Sequence, residues 1–70
     1  MMPLCLADTG RPVTVLRIGG GGEIKRHLED LGFAVGGEVT VVSTLAGNVI
    51  VKVRESRVAI SEALARKIMV

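Results

Sequence analysis

The side chains able to do acid–base, nucleophilic or metal chemistry are few. There is one histidine, His27, one cysteine, Cys5, three serines (Ser43, Ser56 and Ser61), and seven carboxylates in seventy residues. With a single histidine, a site of two histidines and one carboxylate cannot form within one chain. Cys5 has no second cysteine, which excludes a CxxC redox pair and a zinc site of several thiolates. The three serines have only His27 as a base, and nothing in the order of residues brings any of them to it. Glu29 and Asp30 are adjacent, and helical neighbours point about 100° apart, so they read as solvated acids rather than a general acid/base pair. Catalysis and a tight one-chain metal site are both excluded as expectations.

Two further features invite a chemical reading. The run Gly19–Gly22 precedes a helix, as a phosphate cradle would. However, Lys25 is followed by Arg26 rather than Ser or Thr, and the glycine spacing is not that of a P-loop. A turn requiring positive φ explains the run better. Lys25, Arg26 and His27 are interleaved with Glu23, Glu29 and Asp30, with Lys25–Glu29 and Arg26–Asp30 at the i,i+4 spacing. That mixture is a solvated face or a docking face for a partner. Lys52, Arg54 and Arg57 form a second basic group, but no aromatic residues accompany them to stack on bases.

Composition bounds what can position these residues. The net charge is +2, too small to imply nucleic acid. No apolar run approaches the ~20 residues of a membrane span. Met1–Gly10 carries Asp8 and no basic cluster, so it does not read as a signal peptide. The single cysteine suits a reducing cytosol. The chain is 49% hydrophobic and long enough for one domain, 1–70. Eleven valines and five isoleucines against seven leucines tilt it toward strand.

The elements follow from spacing. Val13–Ile18 reads as a first strand, apolar on both faces and therefore covered on both sides. Ile24, Leu28 and Leu31 recur on one face of a helix over Glu23–Leu31. Gly32 stops that helix, and Phe33 folds back onto Leu28. Glu38–Ser43 is the second strand, and Leu45–Asn48 is a loop whose Leu45 either folds back or offers an apolar contact. Val49–Arg54 is the third strand, and Glu55–Ser56 turns it into a partner over Arg57–Ile60. Ser61 caps a single helical turn through Arg66, and 67–70 makes a last strand. Five short strands this small curl into a partly open barrel carrying one inserted α-helix and a short C-terminal helical turn. The expected core is Val15, Ile18, Ile24, Leu28, Leu31, Phe33, Val39, Val41, Val49, Val51, Val53, Ile60 and Ile68.

An ordered set of residues then carries a resemblance. Leu31-Gly32-Phe33, Gly36, Val39 and Val41 are similar to the LG-[FLM]-x-x-G-x-x-V-x-V segment of the FeoA family, the ferrous iron transport A proteins. Val13–Gly22 with Glu23, Arg26 and Leu28 resembles that family's first strand, glycine turn and helix. Ala59-Ile60, Ala65, Ile68 and Val70 resemble its closing pattern. The glycine turn is longer than the family's, and the loop after the second strand is shorter.

The resemblance implies a mainly β, SH3-like barrel. It also implies a cytoplasmic, non-enzymatic accessory of bacterial ferrous iron uptake, reaching the inner face of the membrane only through its partner. That partner would be the transporter FeoB, through its cytoplasmic GTPase region or its membrane part. Lys25, Arg26, His27 and Glu29 on the helix, with Leu45, Ala46 and Asn48 on the loop, are then the contact candidates. Related domains in iron-dependent repressors imply an alternative, a module binding transition-metal ions. Weak Fe²⁺ binding would draw on His27, Glu23 or Cys5, with a second copy of the chain as a further source of ligands. No cofactor is required. A homodimer through the strand near Val70 or through the apolar loop is also compatible.

Overall fold

The computed structural model describes residues 1–70. A 3₁₀ turn at Leu4–Leu6 leads into β1 (Pro12–Thr14), β2 (Arg17–Ile18), α1 (Gly22–Asp30), β3 (Glu38–Leu45) and β4 (Asn48–Val53). These are followed by β5 (Ser56–Ser61), α2 (Glu62–Ala65) and β6 (Ile68–Met69). Four strands form an antiparallel sheet in the order β1-β3-β4-β5, and β2 pairs with β6 in a second, smaller sheet. The two sheets close around one hydrophobic core as an SH3-like barrel with a helix inserted between β2 and β3.

The expected first strand is two strands, one in each sheet, which makes six in all. Val15 gives its N–H to Gly37 (2.8 Å) and accepts from Gly36 N–H (2.8 Å), whereas Leu16 donates to Met69 (2.7 Å). The chain therefore leaves one sheet and joins the other between adjacent residues. This corner keeps Val15 and Ile18 inside but leaves Leu16 52% exposed, so the strand is not covered on both sides. A strand that changes sheets cannot hold one alternation along its length.

The helix ends as its residues dictate. Gly32 takes φ +108°. Its N–H donates to Glu29 carbonyl (2.9 Å), and Phe33 N–H donates to Leu28 carbonyl (3.0 Å). That pair of bonds is the Schellman arrangement, and Phe33 and Leu28 are both fully buried. Ile24 and Leu31, expected in the core, lie half-buried at its margin. The helix lies against the barrel side, so only the middle residue of its apolar face is enclosed. Leu4 and Ala65 are buried instead, from the 3₁₀ turn and α2. Ser61 caps α2 as expected, accepting from Leu64 N–H at 3.2 Å.

The β4–β5 turn is at Arg54–Glu55, one residue earlier than expected, with Val53 opposite Ser56 and Lys52 opposite Arg57. This register lengthens the ladder to Asn48 opposite Ser61. It also keeps Val58 and Ile60 on the face of Val49, Val51 and Val53. The N-terminus adds a further rung beside β6: Met2 and Val70 exchange N–H···O bonds of 2.9 and 2.8 Å.

Candidate functional site

Two surfaces carry the expected contact residues. The first is the outer face of α1. Gly20 and Gly21 enter it at φ +93° and +87°, so the glycine run serves a left-handed turn. Lys25, Arg26, His27 and Glu29 are all exposed on this helix. The expected Lys25–Glu29 and Arg26–Asp30 ion pairs do not form; the chain's two are Arg11–Asp8 and Arg66–Glu62. The helix charges are thus free to meet a partner.

The second surface is the tip of the β3–β4 hairpin. Leu45 and Asn48 are paired strand ends rather than loop. Only Ala46 and Gly47 turn, at φ +51° and +81°, the two positive values of a type I′ hairpin. Glu62 N–H donates to Gly47 carbonyl at 2.9 Å, tying the tip to the start of α2. Leu45 is 70% exposed and does not fold back onto the barrel. Beside it opens a pocket of about 270 Å³ whose wall includes Cys5, Thr44, Asn48 and Glu62. Cys5 and Glu62 were not foreseen as neighbours of the tip, because both are distant from it in the chain and the bond that brings Glu62 there is made by backbone.

The structure does not merge the two surfaces. No residue of α1 lines the pocket at the tip. Gly32, just past the helix, abuts Val53, which pairs with Val39 at the opposite end of the hairpin from Ala46–Gly47. Leu45 lies six positions along the chain from Val39, roughly 20 Å along a strand.

The expected metal donors are also dispersed. His27 and Glu23 share the outer face of α1, while Cys5 lies half-buried beside the hairpin tip. No three His, Cys, Asp or Glu side chains converge on a point that could hold an ion. The one clearly shifted ionisable group is Arg66, whose guanidinium is held above its ordinary value by a hydrogen bond from Arg66 to Glu62 and by that carboxylate's charge. It is an exposed structural pair on α2, worth little to stability. No helix of the chain is long and apolar enough to cross a membrane.

Comparison with known proteins places this architecture. The FeoA domain family matches residues 2–70. The chain belongs to the FeoA family. A putative Fe(2+) transport protein A from Methanocaldococcus jannaschii is 36% identical over 70 residues, covering 100% of this chain and 85% of that protein. A crystal structure of an iron uptake regulatory protein, FeoA, superposes with a TM-score of 0.88 at 29% identity. It covers 97% of this chain and 90% of the other. The solution structure of iron(II) transport protein A from Clostridium thermocellum has the same fold, with a TM-score of 0.88 at 22% identity. The match covers 97% of this chain and 43% of that longer one. The FeoA family comprises transport accessory proteins rather than enzymes, and its SH3-like barrel is the fold described above.

Proposed function

We infer that this FeoA-family chain is an accessory of ferrous iron uptake. It would bind the cytoplasmic region of the ferrous iron transporter FeoB and modulate its activity, with no turnover of its own. The observation that supports this reading most directly is the hairpin tip. A large apolar side chain, Leu45, is held out in solvent at the strand end beside a two-residue turn that a cross-bond from Glu62 ties to α2. A rigid apolar knob beside a pocket is what a protein contact uses, since little order is lost on binding. The unpaired charges of Lys25, Arg26 and Glu29, with the His27 imidazole among them, supply a second, polar contact that would steer approach more than it would hold the complex.

Pull-down with the transporter's cytoplasmic domain, with and without guanine nucleotide, tests the reading. Capture that is lost in Leu45→Glu supports it. No capture under either condition removes it.

A further inference from the structure

The β4–β5 hairpin breaks two local rules at once. Lys52 lies directly opposite Arg57, a like-charge cross-strand pair that costs stability. Arg54 occupies the turn at φ +57°, a conformation that favours glycine or asparagine. None of the three cations is in an ion pair. Such conflicts between local preference and fold concentrate where a surface has a task beyond folding.

Alongside these charges runs an open strand edge. β5 is the outermost strand of its sheet. Glu62 N–H bonds to Gly47 carbonyl, and the hairpin closes at Val53–Ser56. By antiparallel alternation the backbones of Ser56, Val58 and Ile60 serve β4, and those of Arg57, Ala59 and Ser61 face outward. The edge has no proline, and Arg57, Ala59 and Ser61 are all exposed.

We propose that β5 accepts an added strand from an acidic, extended segment of a partner protein. A strand laid against this edge extends the cross-sheet row Pro12, Thr40, Lys52, Arg57 by one residue. A carboxylate in that place relieves the Lys52–Arg57 repulsion, and Arg54 stands at the same end. Two residues along, the new strand lies opposite Ala59, itself paired with half-buried Ile50. Ala59 is small and exposed, so an aliphatic side chain opposite it packs across the new pair without a clash. The partner signature is therefore an acid and an aliphatic residue two apart. Charge selects this occupant over a second copy, which would bring another basic hairpin to the same edge. The proposal is separate from the transporter reading and its contacts.

The probe is a fluorescein-labelled heptapeptide in which threonine alternates with glutamate, valine and glutamate, titrated against the full chain by anisotropy. Saturable binding that weakens with salt is expected. Arg57→Glu should weaken it about tenfold or more, the scale of one lost charge pair. Ala59→Pro should abolish it, because it removes an N–H that β4 does not use. A backbone N-methylated heptapeptide of the same charge should also fail, independently of how any variant folds.

No binding of the parent peptide overturns the proposal. So does binding that survives N-methylation, which would mark charge attraction alone. Preference for RNA or for anionic vesicles, indifferent to Ala59→Pro, would overturn it as well. Sedimentation showing that β5 is occupied by a second copy would do the same.

Discussion

Gly32 and Val53 touch so closely that a Cβ on the glycine would lie 3.0 Å from Val53 Cγ1, with Gly32 at φ +108°. Helix end and barrel wall meet here so tightly that a side chain on Gly32 requires Val53 to give by a few tenths of an ångström. Gly36, at φ +88°, has nothing within 4 Å of the same built position. Gly32→Ala should therefore cost more than Gly36→Ala, which bears backbone strain alone. Strain of this kind costs on the order of 1–3 kcal/mol, and the Gly32 variant adds the clash. Urea unfolding of both variants checks the order; equal losses would mean that Val53 yields freely.

Ala46 holds a left-handed φ that Asn-Gly turns adopt with less strain. Ala46→Asn should stabilise the domain by about 0.5 kcal/mol or more, seen as a higher urea midpoint at unchanged slope. Because Ala46 stands beside Leu45, capture of the transporter domain by this variant also reports whether the contact tolerates a polar neighbour.

Leu45→Glu should leave stability within about 0.5 kcal/mol, since the side chain is already in water. It should nonetheless fail to restore ferrous iron uptake to cells lacking the chain. A Lys25→Glu/Arg26→Glu pair should behave likewise, with full folding and reduced rescue. Rescue equal to that of the unaltered chain would place the contact elsewhere.

Fe²⁺ added anaerobically to the reduced chain should leave its melting temperature unchanged. A ligand held by the native state must raise apparent stability, and Glu23, His27 and Cys5 do not meet. A rise that disappears in His27→Ala would instead favour the metal-binding alternative.

How much of this was legible in the residues varied with how local the determinant is. Leu31-Gly32-Phe33 fixed the helix end because a left-handed stop needs only adjacent residues, and both Schellman bonds are present. Ser61 as a cap was readable for the same reason. The β4–β5 register was not. Closing at Arg54–Glu55 or at Glu55–Ser56 leaves Val58 and Ile60 on the inner face either way, so a period of two cannot separate them. The break at Val15–Leu16 was hidden because β-branched and aliphatic residues continue through it, while the cause is pairing with Gly36, Gly37 and Met69, distant in the chain. At the candidate site, exposure of the helix charges followed from their spacing. The pocket beside Leu45 did not, since its walls arrive from Cys5 and Glu62 at opposite ends of the sequence.

The reciprocal bonds between Met2 and Val70 have a mechanical meaning. Both ends leave the barrel at one corner, so anything fused to one end sits beside anything fused to the other. Tension applied between the ends loads those bonds singly, as in unzipping, because they lie across the strands rather than along them. The domain should come apart from this corner under small force, with the β3–β4–β5 sheet the last part to open.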